Sequence, residues 1–108
     1  MQKPLQITVR GMEPSPAVEQ RVRDKVASLS RFDLITSCHV TIEAPHRHHQ
    51  HGSVFSVHLD IHVPDKQLAY GRTRHRDTAH EDVYVAIRDA FDAAERGLEE
   101  YARDRRAH

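Results

Sequence analysis

The chain has 108 residues, 38% of them hydrophobic and 30% charged, which suits one domain built around one core over residues 1–108. Sixteen Lys plus Arg balance sixteen Asp plus Glu, so the strongly basic balance common among nucleic-acid binders is absent and the placement of charge matters more than its total. No apolar run approaches the roughly 20 residues of a membrane span, and residues 1–10 lack the basic-then-apolar order of a secretory signal, so a cytoplasmic location is expected.

Leu5, Ile7 and Val9 alternate with Gln6, Thr8 and Arg10, the period-two pattern of a strand with one dry face. Ser15 before Pro16 is a helix start: the serine oxygen can cap free amides, and proline is tolerated at the first helical position. Val18, Val22, Val26 and Leu29 then recur at helical spacing, predicting a first helix from about residue 16 to residue 30. Cys38, Val40, Ile42 and Ala44 form a second alternating strand, in which the single cysteine reads as a buried residue of a reducing compartment.

The run Pro45-His46-Arg47-His48-His49-Gln50-His51-Gly52 breaks that strand. A third strand follows, with Phe55, Val57, Leu59, Ile61 and Val63 on its buried face and Ser56, His58, Asp60 and His62 on the other. Pro64-Asp65-Lys66 is a tight turn, and Leu68 with Tyr70 marks a short fourth strand ending near Gly71. After a polar connection the period becomes helical from about residue 81 to residue 105, with Val83, Ile87, Ala90, Phe91, Ala94, Leu98 and Tyr101 on one stripe. Gly97 inside this helix costs roughly 1 kcal/mol relative to alanine, a fault that tight packing should explain.

The order β-α-β-β-β-α defines an α+β fold. Neither helix can bury its stripe alone, so both should pack on one face of a four-stranded mixed sheet. A crossover connection makes the first two strands parallel, and the two later hairpins are antiparallel. The end of the first strand, the tip of the hairpin between the second and third strands, the end of the fourth strand and both helix starts then share one end of the domain.

That end collects Arg10, the loop residues His46, Arg47, His48, His49 and His51, and the run Arg72, Arg74 and Arg76, beside two helix N-termini that attract phosphate. Arg21 and Lys25 share one flank of the first helix, and Arg103, Arg105 and Arg106 form a basic patch at the end of the second. The pairs Asp92–Arg96 and Glu99–Arg103 have the spacing to neutralise each other. His39, His58 and His62, with Asp60 and Glu43, belong on the open sheet face, where no exposed aromatic pair is available to stack bases. No nucleophile elbow, phosphate-cradling glycine loop or paired metal-ligand motif is found, so neither an enzyme nor a cofactor is expected. The four histidines of loop 46–51 leave a second function class open, a metal- or pH-responsive binding module. Adjacent His48 and His49 point apart on an extended loop that holds no acid or cysteine, which disfavours a specific metal site.

Three stretches carry a family resemblance: residues 5–12, Leu-Gln-Ile-Thr-Val-Arg-Gly-Met; residues 24–32, Asp-Lys-Val-Ala-Ser-Leu-Ser-Arg-Phe; and residues 82–92, Asp-Val-Tyr-Val-Ala-Ile-Arg-Asp-Ala-Phe-Asp. Together they resemble the ribosome hibernation-promoting factor and ribosome-associated inhibitor family, also called the sigma-54 modulation protein family, whose fold is similar to a double-stranded RNA-binding domain. The resemblance implies a translation inhibitor of the stress response that occupies the decoding channel of the small ribosomal subunit and touches ribosomal RNA through basic residues. Lys25 matches a basic position of the family's first helix, whereas Ser28 stands where lysine is common and the middle of the second helix is acidic where many members are lysine-rich. The histidine-rich loop resembles that of a subgroup, some longer members of which continue into a cold-shock-type domain. The sequence ends at His108 with neither that domain nor the dimerising domain of long members, so a monomeric short form is expected, with no membrane or small-molecule partner.

If the loop histidines approach ribosomal RNA, phosphate should raise their pKa values, because a close negative charge favours imidazolium. Affinity gained this way is fully present below the free pKa and lost as pH rises through the bound one, a window near and somewhat above pH ~6.5. Metal ligation has the opposite sign, since ligand imidazoles must be deprotonated. Ribosome affinity measured across this range should strengthen in acid for the parent and stay flat when His46, His48, His49 and His51 are changed to glutamine. Parallel curves for the two proteins would assign the loop to solvated surface.

Overall fold

Burial follows the alternation strand by strand in the computed structural model, which describes residues 4–13, 15–44, 55–72 and 83–106. The elements are β1 (Leu5–Arg10), α1 (Pro16–Ser28), β2 (Ser37–Glu43), β3 (Ser56–Val63), β4 (Lys66–Arg72) and α2 (Val83–Arg106). They form the expected four-stranded mixed sheet, in the order β1-β2-β3-β4, with β1 parallel to β2 and the other neighbours antiparallel. Cys38, Val40 and Ile42 of β2 and Val57, Leu59, Ile61 and Val63 of β3 are buried, because these two strands have neighbours on both sides and helices above. Leu5 and Ile7 of β1 and Leu68 and Tyr70 of β4 are half-buried, since each belongs to an edge strand.

Ser15 caps α1 as its sequence suggests, its side chain accepting a hydrogen bond from the Val18 amide at 3.3 Å, with Pro16 in the first turn. The helix stops at Ser28, two residues before the expected end: Leu29 is the C-cap, and Ser30 donates to the Ala27 carbonyl in a closing turn. Ala44 also falls outside its expected strand, although its amide still donates to the Arg10 carbonyl at 2.9 Å. Gly11 makes that approach possible. Its φ of 78° is left-handed, and a Cβ there would stand 2.6 Å from the Ala44 oxygen. Along α2, Ile87, Ala90, Phe91, Ala94, Leu98 and Tyr101 are buried on one stripe. Residues 81 and 82, where this helix was expected to begin, lie outside the described residues. Among the described residues no helix is long and apolar enough to cross a membrane.

Cross-contacts set the direction of each helix. The Arg21 guanidinium lies 4.8 Å from the Tyr84 ring centre near the start of α2, while Arg31, just past α1, reaches Glu95 at 2.6 Å and Glu99 at 3.3 Å. The two helices therefore run side by side in the same direction. Asp65 meets Tyr101 and Tyr70 meets Gly97, so α2 runs opposite to β4.

Gly97 has a packing reason. A Cβ at this position would stand 2.2 Å from the Tyr70 hydroxyl oxygen and 2.4 Å from its Cε1 and Cζ, so the ring occupies the space a larger residue would need. Replacing Gly97 by alanine should gain about 1 kcal/mol of helix propensity and lose more than that by forcing the ring off the helix, since overpacking typically costs roughly 1–3 kcal/mol. Urea unfolding should therefore show Gly97→Ala as destabilising in the parent and stabilising in a Tyr70→Ala background. The same sign in both backgrounds would contradict this packing.

Candidate nucleic-acid interface

Strand register brings the expected end together. Arg10 pairs with Glu43, Glu43 with Ser56, and Val57 with Arg72, so the last residues of β1, β2 and β4 and the first of β3 form one row across the sheet. Connections from β1 to α1 and from β4 to α2 leave from this row, and both helices begin beside it. Ala44 and Phe55 flank loop 45–54 at the same end. The side chain of Arg72 lies outside the described residues, as do His46, Arg47, His48, His49, His51, Arg74 and Arg76.

The candidate site cations with described side chains divide into three places. Arg10 is exposed at the end of β1, and Arg21 is exposed on α1 with Lys25 one turn further along its flank. Tyr84 was missed by the sequence reading of this site, although its position three residues before Ile87 places it at the margin of the buried stripe. Its half-buried ring carries the Arg21 guanidinium, a cation–π contact that holds the charge near the start of α2. Arg103, Arg105 and Arg106 stand elsewhere. They close a helix of 24 residues whose length of roughly 36 Å separates them from the Arg10 end.

Of the two expected ion pairs on α2, one loses a member to another partner. Among the described residues neither Asp92–Arg96 nor Glu99–Arg103 forms; instead Arg31 draws Glu95 and Glu99 across from the other helix, and Arg88 turns to Asp89 at 3.0 Å. An arginine that reaches two carboxylates outcompetes a single same-helix partner. The basic end also carries two exposed acids, Glu13 and Glu43, and Glu43 is the register partner of Arg10.

The open sheet face bears His39, His58, His62, Asp60 and Glu43, and no described Phe or Tyr belongs to it. Its polar groups satisfy one another: Thr8 Oγ1 lies 2.8 Å from His39 Nε2, Gln67 donates to Asp60 at 3.2 Å, and His58 Nε2 is 3.5 Å from Asp60. No group of three or more His, Cys, Asp or Glu side chains suited to a metal ion occurs among the described residues. Cys38 is no nucleophile, since burial first and Asp60 second push its thiol up to about 11.

At the far end Arg105 lies 3.5 Å from Asp65, and the Tyr101 hydroxyl donates a short hydrogen bond to the same carboxylate. That hydrogen bond, with Arg105 and Lys66 adding attraction, holds the Asp65 carboxyl below its usual value. A lowered folded pKa contributes stability that is present above the unfolded value of about 3.9 and lost as pH falls through the folded one. In Tyr101→Phe, carboxyl titration by NMR should place Asp65 nearer its ordinary value. The stability gap between parent and variant should be full above pH ~4 and narrow below it. A gap of unchanged size in acid would exclude Asp65 as its source.

Comparison with known proteins adds three findings. The sequence model of the family described as "Sigma 54 modulation protein / S30EA ribosomal protein" matches residues 5–106. Among solved structures, a ribosomal subunit interface protein from Coxiella burnetii superposes with a TM-score of 0.69 at 18% identity, covering 91% of this chain and 96% of its own. The N-terminal domain of Protein Y from Thermus thermophilus does so with a TM-score of 0.66 at 16% identity, covering 91% and 98%. At these identities the likeness is one of fold. No curated protein matches the chain.

Proposed function

Because the chain belongs to the sigma-54 modulation and S30EA ribosomal protein family, the hibernation factors, we propose that it is a ribosome-associated inhibitor that docks its basic end on small-subunit ribosomal RNA. In this reading the protein blocks the channel used by messenger and transfer RNA during stress and works as a monomer without catalysis or cofactor. One observation carries it: the strand register and the parallel helices gather Arg10 and the end of β4 at one end of a molecule whose formal charge is zero, with Arg21 held by Tyr84 near the start of α2. Charge segregation of this kind steers association with a polyanion where net charge does not.

The chemistry of recognition follows from what the end lacks. With no described aromatic on the open sheet face, bases are not stacked, and contacts go to phosphate and sugar. Loop residues His46, Arg47, His48, His49 and His51 and the run Arg72, Arg74 and Arg76 supply the outer contacts, while Arg21, set by Tyr84, and Lys25 supply a rigid inner edge. Arg103, Arg105 and Arg106 would reach RNA only as a separate patch, since they stand at the other end of α2.

Sedimentation with purified small subunits over a salt series tests this. Affinity should fall steeply with salt, and changing Arg72, Arg74 and Arg76 to glutamine should lower the slope of log affinity against log salt by roughly 2–3. The same change at Arg88 and Arg96 should do less, because Arg88 is tied to Asp89 and both stand among acids on α2. Salt-independent binding, equal pelleting with free large subunits, or a greater loss from the α2 pair would overturn the docking.

A further inference from the structure

The end of the molecule opposite Arg10 carries a groove of about 360 Å³ between β4 and the C-terminal half of α2. Its floor is Leu68, Tyr70, Gly97 and Tyr101, and its helical rim is Glu100 and Asp104. Gly97 leaves room for the Tyr70 ring against α2, which keeps the floor low and half-exposed. Beside the groove, β4 pairs with β3 and with no other described strand.

The charges at the groove are unequal in their freedom. Asp65 is held by Tyr101 and Arg105, and the Lys66 ammonium lies 5.4 Å from the Tyr101 ring centre. Glu100 and Asp104, one helical turn apart on the same face, form no ion pair or hydrogen bond among the described residues. Glu100 is exposed and lines the groove, and after burial its negative charge is the second cause that pushes the Tyr70 phenol up.

Register says what an added strand would present. Leu68 and Tyr70 pair with the buried Ile61 and Leu59 and so face the helices, while Gln67 and Ala69 face the open side. A chain hydrogen-bonded along Lys66–Tyr70 would lay every second side chain over Leu68 and Tyr70, toward Glu100 and Asp104. Lys and Arg fit both demands, with an aliphatic stem for the apolar floor and a cationic head for the carboxylates.

We propose that the β4–α2 groove docks an extended basic segment of a partner protein, which joins β4 as a fifth strand with Lys or Arg at alternate positions. Nucleic acid is disfavoured here by the two free carboxylates. A second copy of β4 is disfavoured because its helix-facing positions 68 and 70 are Leu and Tyr. The docking does not rest on the RNA reading, whose main contacts are at the other end.

The test titrates the full chain with a fluorescent heptapeptide of alternating Lys and Thr. Two controls accompany it, one with the same residues in a Lys block followed by Thr, and one alternating but N-methylated along its pairing edge. The alternating peptide should bind saturably, shift the amide resonances of Lys66 to Tyr70, and bind at least several-fold more tightly than either control. Changing Glu100 and Asp104 together to glutamine, at exposed positions that leave the core intact, should weaken it roughly three- to tenfold, the effect of two exposed charge pairs. Equal binding of all three peptides, amide shifts elsewhere, full binding by the glutamine variant, or no binding would overturn the proposal. So would concentration-dependent self-association through β4, which would give the groove to a second copy.

Discussion

Parallel pairing of β1 with β2 is the constraint on which the rest depends. Two parallel strands cannot be joined by a tight turn, so the chain must cross back over the sheet, and α1 is that crossing. Two antiparallel steps later β4 points the same way as β1 and β2, and α2 leaves from its end as α1 leaves from the end of β1. Both helix starts, three strand ends and the flanks of two loops are thereby fixed at one end by backbone hydrogen bonds, before any charged side chain is considered.

Neutral overall charge and a charged interface are compatible for the same reason. Arg10 closes β1 at the end where the helices begin and Arg21 lies against Tyr84 near the start of α2, whereas the acids Glu95, Glu99, Glu100 and Asp104 lie along the later turns of α2. Arg31 binds two of those acids and so serves as a clamp between helices, with its guanidinium also 4.3 Å from the Phe32 ring centre. At the far end Glu100 and Asp104 border the β4–α2 groove, next to the basic last turn of Arg103, Arg105 and Arg106.

The fold was legible in the sequence because burial repeats with the period of the element. Val40, Leu59, Ile87 and Leu98 announce their faces through near neighbours alone. Edge burial was not legible: Leu5 and Leu68 alternate as cleanly as Val40 yet stay half-exposed, since strand order is a property of the whole sheet. Charge pairing was the least legible. Glu99–Arg103 has ideal helical spacing, but Arg31, 68 residues before Glu99, reaches that carboxylate together with Glu95. Tyr84 under Arg21 and Tyr70 over Gly97 are likewise contacts between distant segments, and the glycine alone left a mark in the sequence.

The claim that the helix-start end faces small-subunit RNA can be tested by directed hydroxyl-radical cleavage from single tethered iron chelates. Cys38 does not interfere, because it is buried and its thiol is pushed up to about 11. A chelate at Glu13→Cys, on the exposed connection between β1 and α1, should cut ribosomal RNA of the small subunit around the decoding channel. A chelate at Asp104→Cys, near the end of α2, should cut it weakly or not at all. Stronger cleavage from position 104 than from position 13, or cleavage confined to large-subunit RNA, would contradict the account.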